Sequence, residues 1–381
     1  MTLILDYKET HNMLVLAALS YYRQAEAVKL YRKAGSATAV IEAGCSVGDI
    51  MPECSKAFAN ALKDTSQAEQ RAEREMEYCM RNGIEIISCA DERYPRRLAE
   101  CDDAPLVMFF KGTADLNSRR MVSIVGTRHS TAEGQDNIML MMKNLAAMCP
   151  GLLVVSGLAY GVDINAHRSA LDNGLDTVAV LAHGLDNLYP PAHRETANRM
   201  TTQGGLLTEY FTHTNADKFN FLQRNRIVAG MSDATIVVES ASHGGALVTA
   251  RLAREYQRAV FAFPGRVADK YSEGCNNMIR DGKARLITSA ADFMNLMGWQ
   301  QDSALAKARE QGIERSLFPE YDADEQLVVS ALEKAGDSHI NTLSAATSLP
   351  MGKLSSALFS LEMKGVIRCL AGSIYHLIGA K

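Results

Sequence analysis

Glycine, hydroxyl and arginine residues recur just past the ends of apolar runs in the middle of this 381-residue chain, and together their chemistry is that of anion binding. After the run ending at Val125 come Gly126, Thr127 and Arg128, then Ser130, Thr131 and Gly134. Glycine lets backbone N–H groups approach a phosphate, hydroxyls can donate to it, and arginine adds a two-pronged, charge-assisted bond. The segment lacks the three glycines of a dinucleotide fingerprint, and no acidic residue ends the next strand to receive a ribose. A second segment, Ser156 to His167, carries Gly157 and Gly161, which are expected to keep a phosphate-sized space free of side chains. Its Asp163 and His167 lie four apart, on one face of a helix. With no third ligand at a suitable spacing, they read as a helix cap and a packed histidine before they read as a metal or acid–base pair.

The densest basic cluster is Lys218, Arg224 and Arg226, interleaved with Phe219, Phe221 and Asn225. Cations for phosphates and flat rings for bases are what a single nucleic-acid strand needs. The packing alternative makes the two phenylalanines core anchors and turns only one arginine outward; the expectation is that one phenylalanine packs and one arginine binds. Tyr189, before Pro190 and Pro191, offers a further ring. Glu239, Ser240, Ser242 and His243 lead into Gly244 and Gly245, paired glycines at a helix start that make an anion nest. No GxxxxGK[ST] segment occurs, which argues against ATP hydrolysis of the P-loop class. Pro264, Gly265, Gly274, Asn276 and Asn277 complete the expected rim.

These segments need a scaffold, and the apolar pattern supplies it. Strand-length runs occur at 106–110, 122–125, 152–155, 177–181, 234–238, 259–263 and 285–287, separated mostly by helix-length segments at 134–148, 165–173, 191–203 and 246–256. Strands apolar on both faces, alternating with helices, predict an α/β fold: a Rossmann-like, mostly parallel sheet covered on both sides. Ligands of such sheets sit beyond the carboxyl ends of the strands, where the loops above lie. Residues 1–82 read as a helical domain of sterile-alpha-motif or helix-hairpin-helix type, 83–298 as the Rossmann-like domain with a first short strand at 84–88, and 299–320 as a linker. Residues 321–381 show three helices, the last ending at Gly365, then two short strands around Gly372, a winged-helix pattern.

Composition narrows the function. A hydrophobic fraction of 47% with 22% charged residues is that of a globular protein, and a net charge of −4 gives no whole-chain attraction to nucleic acid. From Arg119 to Asp292 there are 18 Lys and Arg against 16 Asp and Glu, so any phosphate site must come from arginines converging on one face. The eight cysteines are scattered without a CxxC pair, as in a reducing compartment, and no apolar run is long enough to span a bilayer; the expected location is cytoplasmic, with no membrane contact.

Five segments in this order, VSIVGTRHSTAEG (122–134), SGLAYGVDINAH (156–167), VLAHGLDNLYP (180–190), RNRIVA (224–229) and SHGGALVTA (242–250), resemble the DNA-processing protein A family, also called Smf. The resemblance implies a cytoplasmic, non-enzymatic protein, without cofactor or catalytic metal, that binds single-stranded DNA regardless of sequence. It implies protection of the strand in natural transformation, help in loading the RecA recombinase, and action as a homodimer. By motif position it implies that Arg128 contacts phosphate with Gly126, Thr127 and Ser130, and that Gly157 and Gly161 shape the pocket. Lys218, Phe221, Arg224, Asn225 and Arg226 would line the DNA groove, and Gly244 with Gly245 the neighbouring nest. The sequence departs from the family pattern at Thr127, Glu133, Ala182, His183 and Leu222, of which Glu133 puts a negative charge near the first loop. Two rivals stay open: a nucleotide-processing enzyme using Asp163, Glu209 or Glu239, and a regulator acting through the winged helix. The latter holds five Lys and Arg against six Asp and Glu, with only Lys353 and Lys364 flanking its third helix.

Overall fold

The computed structural model of the chain describes residues 2–20, 24–299, 321–364, 366–370 and 373–377. Its contacts divide it into two units, 1–300 and 301–381. The expected linker, apart from Trp299, and the turns at Gly365 and Gly372 lie outside the described residues.

The first unit opens with helices α1 (Thr2–Leu19), α2 (Gln24–Ala34), α3 (Ala37–Ala43), α4 (Val47–Ile50), α5 (Lys56–Ala61) and α6 (Ser66–Asn82). Then follow β1 (Glu85–Ser88), α7 (Arg96–Ala99), β2 (Val107–Gly112), β3 (Met121–Val125), α8 (Ala132–Met148), β4 (Leu153–Ser156), α9 (Val162–Asp172) and β5 (Thr177–Val180). The unit continues with α10 (Arg194–Met200), β6 (Gly204–Thr208), α11 (Lys218–Met231), β7 (Ala234–Val237), α12 (Gly245–Glu255), β8 (Ala259–Ala262), α13 (Glu273–Arg280), β9 (Arg285–Leu286) and α14 (Ala290–Leu296).

Nine strands form one sheet in the order β1-β2-β6-β5-β4-β3-β7-β8-β9. It is parallel from β6 to β9, with β1 and β2 added antiparallel at one side. Alternation along β3 sends Val122 and Ile124 into a core with α8, α9 and α14, and Met121 and Val125 into the opposite core with α11 and α12. This is the expected α/β sandwich with a mostly parallel sheet. The N-terminal helices are not a separate body: Met13, Leu14, Val15 and Leu16 share a core with Leu106, Val107, Phe109 and Phe211.

Two elements depart from the sequence reading. Strand β6 went unseen because it starts Gly204-Gly205, residues that disfavour strands. They are there for close approach: a Cβ on Gly204 would lie 1.9 Å from the Thr177 carbonyl oxygen, and one on Gly205 2.3 Å from the Phe110 ring. Helix α11, not among the helix-length segments of the sequence reading, carries no apolar stripe because Arg224 and Arg226 are themselves buried.

In the second unit, α15 (Ala323–Ala335), α16 (Ile340–Thr347) and α17 (Met351–Met363) pack around Val328, Leu332, Leu343, Leu354, Leu358 and Leu361. The hairpin β11 (Ile367–Leu370) and β12 (Ile374–Leu377) is joined by β10 (Ser338–His339), giving the winged-helix order β10-β12-β11. No helix of the described residues is long and apolar enough to cross a membrane.

Candidate functional site

Strand β3 lies between β4 and β7: the chain leaves it towards β4, β5 and β6, then returns through α11 to β7 on the other side. This reversal parts the loops beyond the carboxyl ends and opens a crevice there. The crevice measures about 800 Å³ and is walled by the loops after β3, β4 and β7, by the start of α11 and by Lys270 and Tyr271.

The loop after β3 is pinned from several directions. A Cβ on Gly126 would sit 2.4 Å from Val162 Cγ2, so only glycine lets α9 close against it. Thr127 N–H donates to the Glu239 carbonyl at 2.8 Å, and the Thr127 carbonyl accepts from Val162 N–H at 3.1 Å. Thr131 caps α8, its Oγ1 accepting from Gly134 N–H at 3.0 Å. The Glu239 carboxylate in turn accepts from Thr131 N–H at 2.9 Å and Oγ1 at 2.5 Å. Arg128 is exposed on this fixed loop, its guanidinium 4.8 Å from the centre of the Phe221 ring. Ser130 turns aside: its Oγ accepts from Asn165 Nδ2 at 3.2 Å, and it does not line the crevice. Glu133 also stays outside the crevice and faces Arg266 at 3.7 Å.

The two glycines after β4 make room for protein, not for a phosphate, which corrects the sequence expectation. A Cβ on Gly157 would lie 2.3 Å from Arg224 Nη2, and one on Gly161 2.2 Å from the Thr127 carbonyl oxygen. Gly161 also has φ +74°, a conformation that favours glycine. The space is filled by Arg224, which is buried beneath the crevice and donates from Nη1 to the carbonyls of Gly157, at 2.8 Å, and Val180. Burial lowers its pKa from the ordinary arginine range, with Asp163 opposing and Arg128 adding to that effect. Burial likewise raises the Asp163 carboxyl, and the Arg224 charge opposes the rise. His167, four residues on, is a packed histidine: its Nδ1 meets Thr177 Oγ1 at 2.7 Å, and burial pushes its pKa down to about 3.

The basic cluster on α11 splits. Successive helical residues turn by about 100°, so Arg224 and Arg226 point roughly 200° apart. Lys218, Phe221, Arg224 and Asn225 line the crevice; Phe219 and Arg226 lie on the other side of the helix. Arg226 is buried in an ion pair with Glu209 at 2.5 Å and cannot line the same groove as Arg128. Both arginines are buried and neither phenylalanine is a core anchor, so the expectation of one packed ring and one outward arginine is reversed. Phe221 instead carries two guanidinium groups, Arg128 at 4.8 Å and Arg224 at 5.7 Å, with Tyr189 edge-on at 5.9 Å. Cation–π contacts of this kind hold a ring and its arginines in one arrangement.

Gly244 and Gly245 open α12 into the crevice. A Cβ on Gly244 would meet Ser240 Oγ at 2.3 Å, whereas Gly245 has open space before it. Sequence reasoning missed Lys270 and Tyr271, which come from a distant segment. Tyr271 stacks with His129 at 6.0 Å, and Lys270 Nζ lies 5.7 Å from its ring centre. Their adjacency in sequence, a cation beside a ring, was the available signal. The crevice thus gathers Arg128, Lys218, Arg224 and Lys270 against two carboxylates, Asp163 and Asp217.

Those carboxylates are engaged, as are the others offered for catalysis. Asp217 caps α11 through Asn220 N–H at 2.7 Å, Asp163 faces Arg224, Glu239 holds Thr131 and Glu209 holds Arg226. In the winged helix, Lys364 pairs with the buried Glu325, 2.6 Å away.

Against known proteins, residues 85–298 match the family model described as "DNA recombination-mediator protein A", and residues 314–373 match the "DprA winged helix domain". A putative DNA processing protein DprA of Mycobacterium tuberculosis is 35% identical over 315 residues, 79% of each chain. The crystal structure of DNA processing protein A from Streptococcus pneumoniae is similar at 31% identity and a TM-score of 0.59, covering 71% of this chain and 97% of that one. A structure of DNA processing protein A from Helicobacter pylori, described for its single-stranded DNA binding mode, aligns at 29% identity and a TM-score of 0.51, over 56% of this chain and 95% of that one.

Proposed function

From the membership of this chain in the DNA recombination-mediator protein A family, we propose that its crevice binds single-stranded DNA without regard to sequence. The observation that carries this reading is Phe221, a ring flanked by Arg128, Arg224 and Tyr189 in an open crevice with a surplus of positive charge. Bases of any identity stack on such a ring, while Arg128, Lys218 and Lys270 meet the backbone phosphates. The first turn of α12, beginning at Gly245, presents backbone N–H groups to one of those phosphates. Gly126, Thr127 and Gly161 act by fixing the loop that carries Arg128. Arg224 acts from below: it holds Phe221 and adds positive potential at the floor. The commitment of Asp163, Glu209 and Glu239 to structural partners supports a binding role over nucleotide processing.

The same reading carries the wider role: a cytoplasmic homodimer that protects incoming strands in natural transformation and helps load RecA onto them. The winged helix, with Lys364 drawn inward, serves as an accessory or protein-contact module.

The test is a titration of full-length protein with single- and double-stranded oligonucleotides of one length across a salt series. Tight binding to the single strand is expected, with an affinity that falls steeply as salt rises and is lost in Arg128→Glu. Equal affinity for the duplex, or undiminished binding by a folded Arg128→Glu variant, contradicts the reading.

A further inference from the structure

Another cavity, of about 590 Å³, lies between helix α6 and residues 211–214, which follow strand β6. Arg71, Arg74 and Tyr78 reach it from α6 at i, i+3 and i+7, the spacing of one helix face. The Arg71 guanidinium lies 5.2 Å from the centre of the Phe211 ring, the arrangement that Arg128 has on Phe221 in the crevice. Its Nη1 donates to Thr212 Oγ1 at 3.2 Å and pairs with the buried Glu75 carboxylate, also 3.2 Å away. Glu75 accepts in turn from Thr212 N–H at 2.9 Å, which fixes the loop against the helix. Arg71 is thereby a built part of the wall. Arg74 is different: it is exposed, with no hydrogen-bond or ion-pair partner among the described residues.

No carboxylate lines this cavity among the described residues. The acids nearby are engaged: Glu75 with Arg71 and Thr212, Glu77 with Arg81, and Asp186 with His213 N–H at 2.9 Å. What faces solvent is the free Arg74, the exposed His213 and the half-buried ring of Tyr78. A cation beside a ring suits a phosphate followed by a base, as in the crevice. An acidic peptide would also find the cation, but the chain joins this cavity to the crevice and so favours a common occupant. Thr214 lines this cavity and Ala216 the crevice. Two residues of chain span at most about 7 Å. That is about the rise of two stacked nucleotides of one strand.

We infer that a single strand held in the crevice continues past Asn215 into this cavity, setting a phosphate on Arg74 and a base against the open part of the Tyr78 ring. This rests on the crevice being the single-strand site. It makes the N-terminal helices part of the DNA-binding surface. The full site is then longer than the crevice, and only strands long enough to leave the crevice use Arg74.

The experiment measures the affinity of the full chain for single strands of about 4 to 16 nucleotides, the range of single-strand site sizes. Arg74→Glu, Lys143→Glu and Arg128→Glu are carried through the same series. Lys143 is exposed on α8 and lines neither cavity, so its reversal makes the same charge change elsewhere. Wild-type affinity is expected to step up at the length that passes from the crevice into the cavity, and Lys143→Glu to keep that step. Arg74→Glu is expected to bind the short strands within about twofold of Lys143→Glu and to lose roughly tenfold beyond the step, the effect of one charge-assisted contact. An Arg74→Glu variant that follows Lys143→Glu at every length, or that loses as much on the shortest strands as on the longest, overturns the inference. If Arg128→Glu loses binding at every length in that case, the crevice reading stands alone. Undiminished binding by Arg128→Glu overturns the crevice reading and, with it, this inference.

Discussion

Replacing Phe221 by alanine isolates the stacking element of the crevice from its charge. The ring is half-buried, so its removal leaves the fold intact while taking away the surface on which a base lies. Base stacking on an aromatic residue contributes about 1–3 kcal/mol by alanine substitution. Arg128, 4.8 Å from the ring centre, also loses the contact that orders it, worth about 0.5–1 kcal/mol at an exposed site. A combined loss of about 2 kcal/mol weakens binding roughly 30-fold. Because phenylalanine carries no charge, the dependence of log Kd on log salt should keep its slope. Removing Arg128 instead lowers the slope by about 0.7 for a phosphate contact on a single strand. Fluorescence anisotropy with a labelled oligonucleotide, repeated over a salt series for Phe221→Ala, Phe221→Trp and Arg128→Ala, measures both quantities. The tryptophan variant is expected to stay close to wild type. An alanine variant within about twofold of wild type, or one whose salt slope falls like that of Arg128→Ala, refutes the stacking argument.

Three other substitutions test the framework. Gly157→Ala places a methyl group 2.3 Å from Arg224 Nη2, so it should displace the guanidinium and lower both the thermal midpoint and DNA affinity; a neutral variant contradicts the filled-space reading. Arg226→Ala strands the Glu209 carboxylate in the interior and should cost about 3–5 kcal/mol in denaturant unfolding, where a loss below about 1 kcal/mol speaks against a buried pair. His167 is held near a pKa of about 3 by burial, with the Arg224 charge adding to it, against about 6.5 in the unfolded chain. The unfolded state therefore takes up the proton first as pH falls. The stability from neutral His167 is complete above pH ~6.5 and is lost progressively towards pH ~3. In acid titrations His167→Gln should flatten that limb, and a superimposable profile counts against the assignment.

The sheet was legible because its central strands are buried on both faces and read as unbroken apolar runs, as at Met121–Val125. Strand β6 was not, since its glycines answer to neighbours in space, the Thr177 carbonyl and the Phe110 ring. The loop positions of Arg128 and Gly245 followed from the rule that ligands sit beyond parallel strand ends, and both line the crevice. Helix α11 defeated periodicity because two arginines occupy buried positions where apolar residues are expected. Without the helix, Arg224 and Arg226 looked like neighbours in one groove. Gly157 shows the same limit: its small size was read correctly, but what needs the space is a side chain 67 residues further along, visible only in three dimensions.

The central claim concerns where a single strand lies, and ultraviolet crosslinking of a bound oligonucleotide to the full chain tests it most directly. Peptide mapping should place the crosslinks on Phe221, Tyr189 and Tyr271, the rings that line the crevice. Crosslinks confined to the winged helix, for example at Tyr375, with none on those three rings, would contradict it.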